Sequence, residues 1–386
     1  MLTKIFRLRV LFMIYLDNAA TTLPKPDEVV KAVCDALNSC GNPSRGSYDA
    51  SLNGLRCLLR ARMAVADLFN SDNPLNVAFT QNATAALNIA ISSLKGHVII
   101  TAAEHNSVLR PVFRRGNYTV VSLDEKGRLD ASDIEKAIKS DTEAVVMCHA
   151  SNLTGNVFDI FAVGEICRKH NLKFILDAAQ TAGLIPIDVK KIFLSAVCFS
   201  GHKSLYGPQG TGGILLQNGF QPQPLVVGGS GSESFSPTHP SEMPDALEAG
   251  TQNAHGIAGL LAGINYVTSL EGKAFSEADK LARMFIEKVR ELDGVTLYGD
   301  VDAKLRTPVA SLNIKDFDSG DVANFLYEHY AIAVRAGAHC APLMHKTLGT
   351  QNRGAVRFSF SHFNTQNDVL TAVDGVKEIL KKGILL

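Results

Sequence analysis

The sequence contains no tryptophan and no excess of either charge, because 38 Lys and Arg residues balance 38 Asp and Glu residues among its 386 positions. Without a basic run or an acidic tail, the chain offers no electrostatic surface for nucleic acid. No apolar stretch is as long as the roughly 20 residues of a transmembrane helix. We therefore expect partners that are neither nucleic acids nor membranes.

Paired cysteines are also missing. The seven cysteines form no Cys-x-x-Cys pair and lie in no Cys and His cluster of the kind that binds metal, so we predict no metal site. Most of them lie in apolar patterns, where a free thiol packs as a small hydrophobe. Free thiols are typical of a reducing compartment, which favours a cytoplasmic protein.

The first dozen residues, Met1–Phe12, are basic and apolar. The apolar part is too short to span a membrane, and no small-residue cleavage site follows it. We interpret residues 1–13 as a non-essential extension, with a weak targeting role as the alternative.

From about residue 77, short apolar runs of strand length alternate with helical patterns such as Ala83–Leu94 and Phe158–His170. The runs are almost continuously apolar, which is typical of a mostly parallel sheet covered by helices on both faces. Polar residues follow the carboxyl ends of the runs, where open α/β sheets bind ligands. The predicted strands are Val77–Thr80, His97–Thr101, Thr119–Leu123, Ala144–Cys148, Lys173–Leu176 and Ala196–Phe199.

The last third of the chain has a different pattern. Residues 217–250 are rich in Gln, Pro, Gly and Ser and indicate a loop or arm, and a long helical pattern, Ala254–Leu270, follows. Mixed strands and helices after it predict a smaller α+β domain. We place the boundary inside the helix, which gives a large domain over residues 14–260 and a small domain over 261–386; whether the first residues of the large domain pack on the small one is left open. The strands predicted in the small domain are Val309–Ile314, Ile332–Arg335 and Val356–Phe360.

Two polar residues at predicted strand ends indicate a cofactor. Lys203 lies in the glycine- and serine-rich loop Ser200–Gly213, where a lysine of lowered pKa can form a Schiff base with pyridoxal phosphate (PLP). Asp177 ends a strand 26 residues earlier, and a buried carboxylate keeps a pyridine nitrogen protonated, which makes this cofactor an electron sink. Taken singly, each residue has a plain alternative: an exposed lysine in a glycine loop, and an aspartate that caps a helix.

The motifs Asp177-Ala-Ala-Gln180 and Ser200-Gly-His-Lys203 together resemble the class V aminotransferase group of PLP enzymes, above all cysteine desulfurases and selenocysteine lyases. The resemblance covers nearly the whole chain. It implies an α/β fold, that of a fold-type I PLP-dependent transferase, with a large domain of mostly parallel sheet between helices and a smaller α+β carboxyl-terminal domain. The further matching motifs are Tyr15-Leu-Asp-Asn-Ala-Ala-Thr-Thr22, Ala103-Glu-His-Asn106, Arg335-Ala-Gly-Ala-His-Cys-Ala341 and Arg357-Phe-Ser-Phe-Ser361.

The resemblance implies roles around the cofactor. Lys203 is the Schiff-base lysine, Asp177 pairs with the pyridinium nitrogen, and Gln180 binds the phenolic oxygen. His105 stacks on the pyridine ring and could handle protons. The phosphate needs amides and hydroxyls at a helix N-terminus, completed by a threonine from the partner subunit of an obligate homodimer. The candidates for the phosphate site are Ala83, Thr84, Ser200 and His202, with Thr251 from the partner.

Four residues are implied to bind or react with the substrate. Arg357 matches the arginine that holds the substrate carboxylate, for which the planar guanidinium fork is suited. Asn152 matches an asparagine near the phenolic oxygen and the substrate. Arg335 is expected to line the pocket, although an isolated arginine in a strand more often forms a surface ion pair. Cys340, five residues after Arg335, matches the sulfur-accepting cysteine, and a nearby cation favours the nucleophilic thiolate.

The resulting prediction is a PLP-dependent cysteine desulfurase that converts L-cysteine to L-alanine and takes the sulfur onto Cys340 as a persulfide. Selenocysteine is a second candidate substrate, and a sulfur-acceptor protein, in sulfur metabolism and iron–sulfur cluster assembly, is a candidate partner. Ala338 and Asn106 stand where many relatives have histidine, which leaves the subtype and the activation of Cys340 open.

Three alternatives remain beside this prediction. The first is another class V enzyme, an aminotransferase, epimerase or C–S lyase, in which Cys340 is incidental. The second is a non-catalytic scaffold that binds a sulfur carrier. The third, a Rossmann dehydrogenase, is disfavoured because no Gly-x-Gly-x-x-Gly opens a helix after the first strand.

Overall fold

The computed structural model describes residues 13–43 and 46–384, so the predicted extension lies outside the described residues except for Met13. The α-helices are α1 (Asp27–Ser39), α2 (Asp49–Leu68), α3 (Ala83–Ser92), α4 (Asn106–Arg115), α5 (Ala131–Lys136), α6 (Ile160–Lys169), α7 (Ala254–Ser269), α8 (Lys273–Arg290), α9 (Ser319–Tyr330), α10 (Pro342–Thr347) and α11 (Gln366–Lys382), with short 3₁₀ helices at Pro74–Asn76 and Asp245–Leu247. The strands are β1 (Ile14–Tyr15), β2 (Val77–Thr80), β3 (His97–Thr101), β4 (Tyr118–Val121), β5 (Thr142–Cys148), β6 (Lys173–Asp177), β7 (Ala196–Ser200), β8 (Gly212–Leu216), β9 (Val295–Tyr298), β10 (Val309–Ile314), β11 (Ile332–Ala333), β12 (Arg335–Gly337) and β13 (Ala355–Ser359).

The large sheet has seven strands in the order β2-β8-β7-β6-β5-β3-β4. Strands β3 to β7 run parallel, whereas β8 is antiparallel to both of its neighbours, β2 and β7. The predicted mostly parallel sheet is therefore confirmed. Because β4, β3, β5, β6 and β7 point the same way, their carboxyl ends meet at one edge.

Alternate side chains of each strand pack on opposite faces of the large sheet. On β5, Val145 and Met147 join the core beneath α2, α6 and α7. Ala144 and Val146 join the core beneath α3 and α4. Both faces are buried, which explains why the strands are continuously apolar. Among the described helices, none is long and apolar enough to cross a membrane.

The small sheet is antiparallel, in the order β12-β13-β10-β9, and packs on α8, α9 and α11. Strand β1 pairs with β11, and the neighbouring Leu16 is buried in this second core. The domain division at residue 260 stays a prediction. Ile257, Leu260 and Ile264, which lie on both sides of that division, pack in the core of the large sheet.

One predicted strand differs from the structure, and one helix and one strand were not predicted. The strand predicted over Ile332–Arg335 is two strands in different sheets, because β11 pairs with β1 whereas β12 pairs with β13. Helix α4 carries Pro111 and a highly polar exposed face, which concealed it in the sequence. Strand β9 is only partly buried, so its apolar pattern is weak.

Candidate active site

A cavity of about 260 Å³ opens at the carboxyl ends of the parallel strands and is closed on its other side by residues that follow or belong to β12 and β13. Every predicted site residue except Thr251 lines it. Those residues are Ala83, Thr84, His105, Asn152, Asp177, Gln180, Ser200, His202, Lys203, Arg335, Cys340 and Arg357. Their proximity is a property of the structure, and the roles assigned to them stay predictions.

Lys203 lies in the loop after β7, and the amino-terminal segment holds this loop in place. The His202 carbonyl accepts hydrogen bonds from the Thr21 and Thr22 hydroxyls at 3.1 and 3.2 Å. It also accepts one from Lys25 Nζ at 2.8 Å. Several donors on one carbonyl fix the backbone next to Lys203, so that its side chain enters the cavity from a defined position.

The surroundings of Lys203 favour its neutral amine. Burial lowers the pKa of Lys203 to about 8, and the cations of Arg357 and Arg335 act in the same direction. Asp177 opposes this shift because its carboxylate attracts the ammonium. An amine that is partly neutral near neutral pH can attack an aldehyde such as that of PLP.

Asp177 ends β6 and is buried. Its Oδ1 accepts the Ala179 amide hydrogen at 2.9 Å, and its carbonyl accepts the His149 amide hydrogen at 2.9 Å. Burial raises the pKa of Asp177, while the Ala179 amide and Lys203 lower it. A buried carboxylate is stabilised by a cation beside it, and a protonated pyridine nitrogen is such a cation.

His105 caps the N-terminus of α4, and its neighbours define its protonation. The Ser107 amide donates to His105 Nδ1 at 3.0 Å, and Ser107 Oγ lies 2.8 Å from the same nitrogen. Because a backbone amide can only donate, Nδ1 is the acceptor and the ring proton lies on Nε2. Burial, with Lys203 and nearby arginines, lowers the pKa of His105 to about 4. The imidazole is therefore neutral near pH 7 and a hydrogen-bond donor at Nε2.

The first turn of α3 suits a phosphate. The Ala83 amide donates to Ser200 Oγ at 3.1 Å, and the Thr84 hydroxyl lies 2.7 Å from Ser107 Oγ. His202 Nδ1 is buried without a hydrogen-bond partner among the described residues. Helix N-termini attract anions through their amides and dipole. These groups fit the phosphate of PLP, and Lys203 and Asp177 fit its aldehyde and its pyridine nitrogen.

The backbone at Cys340 is unusual and firmly held. His339 and Cys340 have φ values of +48° and +56°, a left-handed conformation that costs a non-glycine residue of order 1–3 kcal/mol. The Asn152 side chain donates to the His339 carbonyl at 2.7 Å, and the Asn106 amide donates to the Cys340 carbonyl at 2.8 Å. These two bonds offset the strain. They leave the Cys340 side chain exposed and lining the cavity.

Arg357 is almost completely buried and belongs to β13. Its Nη1 donates to the Asn152 carbonyl at 3.0 Å, and its Nη2 donates to Asp17 Oδ1 at 2.7 Å. The other Asp17 oxygen lies 3.9 Å from Arg335 Nη1. A guanidinium has five N–H groups, so these contacts leave further donors for a substrate carboxylate.

Thr251 lies outside this cavity. It lines a second one of about 530 Å³, together with residues of α2 and of the segment 229–252. Nearby, Glu248 forms a buried ion pair with Arg62, with distances of 2.5 and 2.7 Å, and accepts the Phe79 amide hydrogen at 2.6 Å. These contacts anchor the segment that carries Thr251 to β2.

Three residues around the cavity had no role assigned from the sequence. Asp17 pairs with Arg357, and Ser107 sets the tautomer of His105. Glu104 is fully buried; it accepts hydrogen bonds from the Thr101 hydroxyl and from the Cys148 amide of β5, and burial raises its pKa to about 8. Asp17 and Glu104 belong to motifs that carry the family resemblance, so the sequence could have indicated that they matter. Ser107 lies one residue beyond such a motif and has no distinctive pattern.

Known proteins resemble this chain over nearly its whole length. The family model of class V aminotransferases matches residues 14–371. A probable cysteine desulfurase of Methanothermobacter thermautotrophicus is 33% identical over 385 residues, covering 96% of this chain and 95% of the relative. The cysteine desulfurase IscS of Vibrio campbellii is 29% identical, covering 96% and 93%.

Solved structures give the same result. The apo cysteine desulfurase of Thermococcus onnurineus superposes with a TM-score of 0.87 at 32% identity, covering 96% of this chain and 95% of that one. Cysteine desulfurase CsdA of Escherichia coli superposes with a TM-score of 0.85 at 27% identity, covering 96% and 95%. The predicted fold-type I architecture and the PLP cofactor are thus confirmed. The chain belongs to the class V aminotransferase family of PLP enzymes, and it resembles cysteine desulfurases over nearly its whole length.

Proposed function

We propose that the protein is a PLP-dependent cysteine desulfurase, which converts L-cysteine to L-alanine and transfers the sulfur to Cys340. One observation carries the proposal: a single cavity holds a lysine and a buried aspartate on one side and an exposed cysteine and a buried arginine on the other. The first pair suits PLP. The second pair suits a substrate with one carboxylate and a sulfur atom.

The cofactor-binding residues are assigned distinct tasks. Bound PLP supplies an acceptor for the electrons left on the substrate Cα when a bond to that carbon breaks. Lys203 would hold its aldehyde carbon, Asp177 its pyridine nitrogen and Gln180 its phenolic oxygen. His105 would pack against its ring. Ala83, Thr84, Ser200 and His202 would hold the phosphate.

Proton transfer falls to Lys203 rather than to His105. With a pKa of about 8, Lys203 Nζ can accept the Cα proton and return it. His105 has its acceptor nitrogen occupied by Ser107 and carries its proton on Nε2, so it donates hydrogen bonds instead. Arg357 binds the substrate carboxylate, and the Asn152 carbonyl orients that guanidinium.

Sulfur transfer falls to Cys340. Its thiolate attacks the substrate sulfur, and the Cβ–S bond breaks. The electron pair of that bond stays on carbon, which takes up a proton and becomes the methyl group of L-alanine. The sulfur remains on Cys340 as a persulfide, which a thiol of an acceptor protein removes. Because hydrogen bonds hold the loop at both His339 and Cys340, we expect the persulfide to stay at the cavity. The acceptor thiol must therefore reach the mouth of the cavity.

We also propose a homodimer in which Thr251 completes the phosphate site of the partner subunit. Thr251 lines the second cavity together with the α2 side chains Leu55 and Leu59. It does not line the cavity that holds Lys203 in the same subunit. Three of the large apolar side chains that line this cavity are exposed, and exposed apolar patches are typical of interfaces: Leu55, Leu59 and Leu75. Further exposed apolar side chains lie on α2 and in the segment that flanks Gly229–Ser232 in sequence: Met63, Leu225, Val226, Val227 and Phe235.

Three further points extend the proposal. All seven cysteines are free thiols, which agrees with a reducing, cytoplasmic setting. Delivery of sulfur to iron–sulfur cluster assembly agrees with the likeness to IscS. Selenocysteine stays a second candidate substrate, because it carries the same α-carboxylate for Arg357 and its selenium is released by the corresponding cleavage at Cβ.

The first test is product formation from L-cysteine with a reductant. Wild type should release equal amounts of alanine and sulfide, and Cys340→Ala should lose both by about 100-fold or more while its visible cofactor absorption is kept. Cys34→Ala, at an exposed cysteine on α1, is the matched control and should behave as wild type. Equal turnover of Cys340→Ala and wild type would instead favour a C–S lyase or an aminotransferase. Absence of bound cofactor would favour the scaffold.

The dimer is tested by complementation. Thr251→Val and Lys203→Ala should each be inactive or weak, but a mixture that exchanges subunits forms hybrid dimers with one complete site. Activity should then recover to about a quarter of wild type, because about half the dimers are hybrids with one working site each. A monomer by light scattering, or no recovery, would refute the arrangement.

A further inference from the structure

A buried ion pair, Arg62–Glu248, lies at the base of the segment that carries Thr251. Arg62 Nη1 and Nη2 donate to the two carboxylate oxygens of Glu248 at 2.7 and 2.5 Å. The two side chains are only 5% and 4% exposed. Both charges are therefore removed from water, at a position outside the cavity that holds Lys203.

Strand β2 fixes the guanidinium of Arg62. Its Nη1 donates to the Val77 carbonyl at 2.6 Å, and the group lies 4.8 Å from the centre of the Phe79 ring. The Phe79 amide also donates to the Glu248 carboxylate at 2.6 Å. Strand β2 leads into the first turn of α3, where Ala83 is proposed to hold the phosphate of the same subunit. Glu248 thus has a defined place relative to that phosphate site.

The segment between β8 and α7 has little regular structure of its own. Its only helix among the described residues is the 3₁₀ turn Asp245–Leu247, directly before Glu248. Thr251 follows three residues after Glu248 and is exposed, and Asn253 caps α7 by accepting the Gly256 amide hydrogen at 3.0 Å. Thr251 is therefore held on one side by Glu248 and on the other by the start of α7.

The charges of this pair are not needed merely to fasten the segment. The removal of two charges from water opposes folding, and apolar side chains of similar volume often hold a chain equally well. Two parallel hydrogen bonds between a guanidinium and a carboxylate add a defined orientation, which apolar packing lacks. Orientation matters where a side chain has to reach an anion in another subunit, because a hydrogen bond is lost after a small displacement.

We propose that Arg62 and Glu248 are positioning residues for the cofactor of the partner subunit: their ion pair sets the place of Thr251, which binds the phosphate of PLP across the dimer interface. The inference rests on the proposed homodimer with Thr251 in the partner's phosphate site. Because a homodimer is two-fold symmetric, the ion pair of each subunit serves the site of the other. Neither Arg62 nor Glu248 touches the cofactor in this arrangement.

The test measures the dissociation constant of PLP, by titrating the full-length protein and following cofactor absorption, which requires no turnover of cysteine. Arg62→Met combined with Glu248→Met removes both charges and leaves neither one unpaired. This double variant should bind PLP about ten-fold more weakly than wild type, as should Thr251→Val, because a hydrogen bond to a charged group is lost. Its melting temperature without PLP should stay within about 5 °C of wild type.

A triple variant, which adds Thr251→Val to the double variant, separates positioning from general loosening. If the ion pair acts through Thr251, the triple variant should bind PLP as weakly as Thr251→Val, which is about ten-fold rather than about hundred-fold below wild type. Arg290→Met with Asp302→Met removes an ion pair that lies outside both cavities and is the matched control. Its affinity for PLP should equal that of wild type.

Mixed dimers show on which subunit the ion pair acts. In hybrids of the double variant with Lys203→Ala, the intact lysine is served by Thr251 from a subunit whose ion pair is intact. In an equal mixture, about half of the sites that bind PLP covalently should therefore regain wild-type affinity. If the double variant fails to fold, Arg62→Lys keeps the charge but loses the two parallel hydrogen bonds, and it should weaken PLP binding by about three-fold or more.

The outcomes separate this inference from the proposed function. Wild-type affinity in the double variant beside a weakened Thr251→Val, additive effects in the triple variant, or no recovery in the hybrids would overturn this inference alone. Unchanged affinity in Thr251→Val would overturn both the inference and the proposed phosphate site. Weakened PLP binding with recovery in the hybrids, in a protein that releases no alanine from L-cysteine, would support the positioning role and refute the desulfurase.

Discussion

The two sides of the cavity are built in different ways. The cofactor wall consists of Lys203, Asp177 and His105, and the substrate wall of Arg335, Cys340 and Arg357. On the cofactor wall, Asp177 and His105 are each oriented by an amide two residues further along the chain.

On the substrate wall the supporting contacts are distant in sequence. Asp17 and Arg357 are 340 residues apart, and Asn152 and His339 are 187 residues apart. Asp177 and His105 on the cofactor wall therefore depend on local geometry at strand ends, whereas the Lys203 loop is also held by the amino-terminal segment. The substrate wall depends on how the two sheets and the amino-terminal segment meet. A change on one wall should leave the function of the other largely intact.

The largest expected effect comes from the cofactor wall. Lys203→Ala removes the amine that binds PLP covalently, so activity should fall by more than about 10⁴-fold and the visible absorption of bound cofactor should disappear after desalting. Absorption spectra before and after gel filtration measure this.

Lys25→Ala is the matched control for that variant. Burial also lowers the pKa of Lys25 to about 8, but its Nζ binds Thr22 and the His202 carbonyl and does not line the cavity. Its cofactor absorption should persist. An absorbing Lys203→Ala protein would contradict the assignment of the lysine, whereas a colourless Lys25→Ala protein would show that the contact with the His202 carbonyl is needed to hold the Lys203 loop.

An intermediate effect is expected on the substrate wall. Arg357→Lys keeps the positive charge but loses the planar guanidinium group. The lysine cannot donate hydrogen bonds to Asp17, the Asn152 carbonyl and a substrate carboxylate at the same time. KM for L-cysteine should rise by about 10- to 100-fold while cofactor absorption stays unchanged. Steady-state kinetics and spectra measure both, with Arg353→Lys, at an arginine that does not line this cavity, as control. Loss of the cofactor from Arg357→Lys would show that the walls are not separable.

Two of the three residues of the cofactor wall could be placed from the sequence pattern. Continuous apolar strands predict a parallel sheet, and polar residues at their carboxyl ends lie together by the geometry of such sheets. Asp177 and Lys203 could be placed in this way. His105 needed the family resemblance, because a single histidine at a strand end has no distinctive pattern.

Pairings between distant segments were beyond sequence reasoning. Nothing in a single sequence indicates that Asp17 reaches Arg357, since the contact depends on β1 pairing with β11 and on the bridge to Ser359. The left-handed backbone at His339 and Cys340 was equally hidden, because these residues rarely adopt it unless other contacts impose it.

The smallest expected effect tests whether the two walls are electrically independent. Attachment of PLP to the apoenzyme requires the neutral amine of Lys203, whose pKa is lowered to about 8 by burial and by Arg357 and Arg335. The attachment rate should therefore rise with pH and reach half of its maximum near pH 8. Removing a cation makes the ammonium less unfavourable, so Arg335→Gln should move the midpoint to higher pH and slow attachment at pH 7. Stopped-flow absorbance over a pH series measures the midpoint. Arg335 is half exposed, so solvent could screen its charge. A midpoint that does not move would mean that the charge of Arg335 has no effect on the pKa of Lys203 and that the two walls affect each other only when substrate is bound.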